Sequence, residues 1–175
     1  MKKHELTDDT ITVGSRILHR IKALKSFSDV EEGDLGGYVE KEDNLNQSGN
    51  AWVYGNARVY GDARVSGNAQ VCGNARVCGN AQVYGDARVY GDARVYGDAW
   101  VSGENDYTTA KGFGREYRTT TFFRLKDGGI GVRCGCFYGT LDEFRKKVKE
   151  THKESKLGKE YLMLADLMEY KFKNE

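Results

Sequence analysis

The sequence predicts a mainly β fold. A stack of short strands occupies residues 45–104, a strand-built cap residues 1–44, and a small α+β domain of one hairpin and two helices residues 105–175. Three observations lead there. Nine hexads run without insertion from Ala51 to Glu104, each with Ala first, Val third, Gly fifth and Asn, Asp or Glu sixth. Glycine is abundant, at 22 residues, while proline is 0, a balance that fits neither collagen nor a proline-rich linker. Charge divides the chain at the same places: residues 1–50 are net acidic, the repeats neutral and residues 105–175 net basic.

Within each hexad, Ala and Val alternate with polar or aromatic residues, so the hexad opens as a strand with one buried face. Gly followed by Asn or Asp then bends the chain tightly, because these residues tolerate conformations that are costly for others. Strands this short must stack on their neighbours to persist. A helix is excluded. Glycine at every sixth residue would cost about 1 kcal/mol each in a helix interior, and the period does not match 3.6. The small inward residues imply a narrow interior.

The unit resembles the hexapeptide repeat of left-handed parallel β-helix proteins, in particular uncharacterised bacterial and phage members. Val53 and its equivalents through Val101 match the family's aliphatic position, and Ala51 and its equivalents the small inward one. Leu45–Asn50 is read as a degenerate hexad in the same register, and Gly33–Val39 as a lead-in coil. The resemblance implies that three hexads close one triangular coil, that residues eighteen apart stack, and that such chains assemble as homotrimers through flat faces.

On that basis one face carries Arg58, Arg76 and Arg94 beside Tyr60, Cys78 and Tyr96. A second carries Trp52, Gln70 and Arg88, and a third Arg64, Gln82 and Trp100. Guanidinium groups about 5 Å apart repel unless anions sit nearby. Arg forks and Tyr rings suit phosphate and base recognition. Arg58, Arg76, Arg94, Tyr60 and Tyr96 are therefore the candidate ligand-binding residues. The plainer reading is a solvated Arg–Tyr ladder held by cation–π contacts.

The ends of an open stack need covering. Ile11–Val13 and Ile17–Leu24 read as strands of the first cap. Thr119–Leu125 and Ile130–Cys134 flank a hairpin signal at Lys126–Gly129. Thr140–Glu143 is a capping box, followed by one helix with Leu141, Phe144 and Val148 on a face. A second helix has Leu157, Tyr161, Leu164, Ala165 and Met168 on one face. The run Arg145–Lys149 reads as a solvated helix face. Cys134 and Cys136, read as sharing one strand face, could join His152 as three metal ligands, but the second ligand pair of a structural zinc site is absent. Free thiols are the simpler reading, and no metal is expected. Cys72 and Cys78 fall on adjacent faces, so no disulfide joins them.

Chemistry is sparse. Acyltransferases that resemble this chain in repeat use CoA and a histidine base, whereas His4, His19 and His152 all lie outside the coils. No phosphate-loop motif occurs. The expectation is a non-enzymatic binding or assembly protein without a cofactor, in the cytoplasm, since no secretory signal or membrane helix is visible. The phage resemblance suggests counter-defence in a host cell: binding a host protein, or sequestering a small nucleotide-like anion. Near-zero net charge argues against DNA as partner. The alternatives are a structural virion or surface-assembly component, and a CoA-dependent acyltransferase.

Overall fold

The structure, a computed structural model, describes residues 1–173. It is a β-solenoid of about four turns, closed at one end by a hairpin and at the other by a domain of one sheet and two helices. The hairpin pairs β1 (His4–Val13) with β2 (Arg16–Ala23), and β2 pairs with β3 (Leu35–Val39). Both hairpin strands start earlier than the apolar pattern indicates. Glu5, Thr7, Asp8 and Asp9 leave most of β1 solvent-facing, so alternation does not mark it.

Parallel pairing builds three faces. On the first, β5 (Arg58–Val59), β8 (Arg76–Val77) and β11 (Arg94–Val95) continue from β3, so this face and the hairpin form one six-stranded sheet. The second stacks β4 (Trp52–Val53), β7 (Gln70–Val71) and β10 (Arg88–Val89). The third stacks β6 (Arg64–Val65), β9 (Gln82–Val83) and β12 (Trp100–Val101). Residues eighteen apart pair, as expected: Arg58 with Arg76, Arg64 with Gln82, Trp52 with Gln70.

Each coil buries a row of Ala and a row of Val, all at most 1% exposed, in one continuous core. The fifth-position glycines turn the corners at positive φ. At Gly79 (φ 72°) a Cβ would lie 2.8 Å from the Gly97 nitrogen, so a side chain there is excluded by conformation and by space. The sixth position has a second role. Asn50 donates to Asn68 (3.1 Å), Asn68 to Asp86 (2.9 Å) and Asn80 to Asp98 (3.0 Å), so amides hand hydrogen bonds up each corner to a carboxylate.

The lead-in coil corrects one expectation. Leu45 is not in the Ala position of the repeat. It bridges to Val65, the aliphatic position, and stands twenty residues from its partner. An Ala-sized slot cannot hold Leu. The two surplus residues are absorbed before Gly49, where the Ser48 backbone and hydroxyl both donate to Asn46 Oδ1 at 2.9 Å.

The ends have opposite polarity. Backbone N–H groups donate toward the following coil, as in Arg58 N to Ala75 O. The first coil therefore leaves carbonyls open and the last leaves N–H groups. Donors close the first end: buried Lys3 gives its ammonium to Ala51 O (2.7 Å), and Asn44 gives its amide to Ala63 O (2.8 Å) and Gly61 O (3.1 Å). Acceptors close the second: Thr121 Oγ1 takes Arg94 N–H (2.9 Å) and Asp106 takes Ser102 N–H (2.7 Å).

The C-terminal sheet is antiparallel, in the order β13 (Tyr107–Ala110), β14 (Thr120–Arg124), β15 (Ile130–Cys134), β16 (Phe137–Thr140). Thr140 and Glu143 form the predicted capping box at the start of α1 (Leu141–His152). α2 (Lys156–Lys173) packs back on it, with Phe122, Phe144, Tyr161, Leu164 and Met168 in a second core. Arg145 is not a solvated member of its basic run: it reaches Asp166 (2.8 Å) and Glu169 (2.6 Å), joining the two helices.

Candidate functional site: a cationic cleft at the end of the arginine row

Parallel register places Tyr38, Arg58, Arg76 and Arg94 side by side on the first face. Arg20 on β2 pairs with Tyr38 and extends the row into the hairpin. Its guanidinium lies 4.7 Å over the Tyr38 ring and donates to the Tyr38 hydroxyl at 2.6 Å. Asp9 neutralises it at 2.8 Å. Arg58, Arg76 and Arg94 are half-buried, and no ion pair is formed by any of them among the described residues.

The neighbouring row is inward-looking. Cys78 is 8% exposed and lies beside the phenols of Tyr60 and Tyr96. Burial pushes the Cys78 thiol and the Tyr60 phenol up, so both stay protonated at neutral pH. The Arg133 guanidinium covers the Tyr96 ring at 4.7 Å. Tyr96 packs against Tyr138 and Arg133, and neither it nor Tyr60 lines the cleft beyond Arg94.

Beyond Arg94 the row meets the loop between β13 and β14. A cleft of about 250 Å³ opens there, lined by Arg94, Lys111, Tyr117, Arg118, Thr119 and Asp92. Three cationic groups face one carboxylate, and that carboxylate is only loosely held, with Lys111 Nζ 3.7 Å from Asp92 Oδ2. Tyr117 is 68% exposed and sits at φ 48°, in the left-handed region that non-glycine residues seldom adopt. Arg118 lies over the β15–β16 turn, where a Cβ on Gly135 would be 3.3 Å from Arg118 Nη1.

Of the five sequence candidates, only Arg94 lines this cleft. Arg76 and Arg58 lie one and two coils back in the same row. Lys111, Tyr117 and Arg118 were missed. The basic excess of residues 105–175 was the available signal, but the fold-back of this loop onto Arg94 depends on the pairing of β13 with β14.

The thiols of the C-terminal domain do not form a site. Gly135, at φ 58°, makes a hairpin turn between Cys134 and Phe137, so Cys134 and Cys136 do not share a strand face as expected. Cys134 accepts from Thr120 Oγ1 (3.2 Å), Cys136 is exposed, and His152 packs against Tyr161 with ring centroids 5.7 Å apart. Among the described residues no group of three His, Cys, Asp or Glu side chains could hold a metal ion. No described helix is long and apolar enough to cross a membrane.

Comparison with known proteins identifies the repeats. The YdcK β-solenoid repeat model matches residues 51–67, 57–71, 69–85, 81–92 and 87–103. A relative, the uncharacterised acetyltransferase YdcK of Escherichia coli strain K12, is 42% identical over 38 residues. That stretch is 22% of this chain and 12% of the relative. The chain is therefore a repeat-type β-solenoid protein, and the likeness lies in its coils.

Proposed function

We propose that this protein is a non-catalytic binding module that holds a small phosphate-bearing anion of nucleotide type in the cleft at the end of the arginine row. The supporting observation is the convergence of Arg94, Lys111 and Arg118 on one open cleft with Tyr117 in its lining. Guanidinium forks match phosphate oxygens two at a time, and an exposed phenol ring offers a stacking surface for a base. A recess of about 250 Å³ between a solenoid strand and a loop is of a size for a small ligand. Sequestration of a nucleotide signal is the biological form such binding would take.

The relative's name raises acetyl transfer. A transferase needs a base at the reacting atom. His4 is buried beneath Trp52, His19 Nδ1 bonds to Thr7 O (3.0 Å), and His152 stacks on Tyr161, all outside the cleft lining. Binding is therefore the reading the cleft supports.

Calorimetric titration with adenosine monophosphate tests it. Binding should weaken at least tenfold, about 1.4 kcal/mol, in Arg118→Ala and in Arg94→Ala, and should fall as salt rises. Arg58→Ala, two coils away, should leave it unchanged. Absence of binding at millimolar nucleotide, or equal loss in all three variants, would reject the site.

A further inference from the structure

The first face is where this chain concentrates positive charge. The whole chain has a net charge of +1, yet Arg16, Arg58, Arg76, Arg94 and Arg133 meet there. Arg58, Arg76 and Arg94 are neighbours on adjacent parallel strands, about 4.8 Å apart. Arg16 from the hairpin and Arg133 from β15 flank the adjoining Tyr60–Cys78–Tyr96 column. Burial dominates the Cys78 thiol, and the charges of Arg133 and Arg16 both act on it. Arg76, two residues before Cys78, is therefore the middle of the cluster, with an arginine ahead, one behind and two to the side.

Carboxylates near the row are few. Within the coils, the columns on either side of it hold one, Asp92, which accepts from Asn74 Nδ2 at 3.4 Å. Glu40 continues the tyrosine column and is held by Arg16 at 2.7 Å. Asp62 at the next corner is paired with Lys41 at 2.8 Å. Beyond Arg58 come Tyr38 and then Arg20, which Asp9 neutralises at 2.8 Å. The uncompensated part of the row thus runs from Arg58 to Arg94. Like charges at strand spacing repel, and a chain of anions laid along them removes that cost.

The row opens into the cationic cleft, because Arg94 belongs to both. A phosphate chain that continues from a bound nucleotide fits this continuity. An acidic peptide would use the row but leave the exposed Tyr117 ring without a base to stack on. A cationic track beside a stacking aromatic is the way single strands are held without sequence preference. Near-zero net charge argues against long nucleic acid, whereas a local patch suits a short one. From Arg94 to Arg58 is two strand spacings, roughly 10 Å, which limits the track to a few phosphates.

We infer that the ligand of this face is a short single-stranded oligonucleotide, with its terminal 5′-phosphate in the cleft and its next two phosphates on Arg76 and Arg58. This rests on the reading of the cleft as a nucleotide site and extends it along the solenoid.

Calorimetric titration with 5′-phosphorylated triadenylate, set against adenosine monophosphate, gives the test. The triadenylate should bind at least tenfold more tightly. Its affinity should fall more steeply with salt, by about 0.7 in the log–log slope for each added phosphate contact. Arg76→Ala and Arg58→Ala should each remove one such step for the triadenylate and leave the monophosphate unchanged, which also shows that the cleft is intact. Equal affinity for the two ligands, or indifference of the triadenylate to both variants, would overturn the track while leaving the cleft reading in place. Hexaglutamate bound as tightly as the triadenylate, and weakened by the same variants, would overturn it in favour of an acidic protein. Absence of binding by both nucleotides would reject the cleft reading and the track together.

Discussion

At the scale of single residues, the interior tolerates little. Val77 is fully buried in the central coil among Ala and Val side chains. Val77→Asp would bury a carboxylate without a partner, at roughly 4 kcal/mol, a large part of a typical domain's stability. The expected outcome is a urea midpoint far below wild type, or no folded protein. An unchanged midpoint would overturn the inward assignment of Val. Two neighbouring cations set a pH window. Burial, aided by the Lys2 and Lys3 charges and opposed by Glu42, pulls His4 down to about 4 from 6.5. Folded His4 stays neutral while unfolded His4 takes a proton, so stability is whole above about pH 6.5 and falls as pH drops toward 4. Lys3 is lowered to about 8 from 10.5 by burial and by Lys25, so its contribution rises as pH climbs from 8 toward 10.5. Melting temperature measured across this range should slope down below pH 6.5 in wild type. His4→Gln should flatten that slope between 6.5 and about 4.5, above the range where ordinary carboxylates titrate. An identical slope in both proteins would remove His4 as its cause.

At the scale of elements, capping groups are matched to the polarity of each end. Asn44→Leu removes an amide that serves two carbonyls, and Thr121→Val removes the acceptor of Arg94 N–H, with little change of shape in either case. Each should cost about 1–3 kcal/mol, since a buried backbone group is left unpaired. Hydrogen exchange separates them: Thr121→Val should speed exchange at the Arg94 amide, whereas Asn44→Leu should not. The coils were legible from sequence because period six fixes strand, corner and face together. The capping helix was legible because Thr140 and Glu143 stand three apart ahead of an apolar run. Strands β1, β13 and β16 were not, because solvent-facing or four-residue strands carry too little alternation. The twenty-residue first coil was hidden for a different reason: Leu45 fits either register on composition, and only the width of the interior decides between them.

At the scale of the whole molecule, the hairpin and the C-terminal domain act as stoppers on a stack that has no intrinsic length. The candidate cleft was half legible. Arg94 follows from the repeat, while Lys111, Tyr117 and Arg118 depend on a loop whose course is set by long-range strand pairing. Cutting the chain after Ser102 should expose the open N–H edge of the last coil together with the core beneath Phe123. The expected product self-associates into large, ThT-positive species through edge pairing, read by light scattering. A soluble, monomeric, cooperatively melting fragment would contradict the capping assignment.

The eighteen-residue repeat also makes the molecule a rotary device with three settings. Removing one hexad would turn everything downstream by a third of a revolution relative to the hairpin, while adding three would lengthen the barrel and leave the bearing unchanged. The angle between the two ends is therefore inherited in discrete clicks, and small duplications in the coding sequence can re-aim the cleft without altering a single side chain in it.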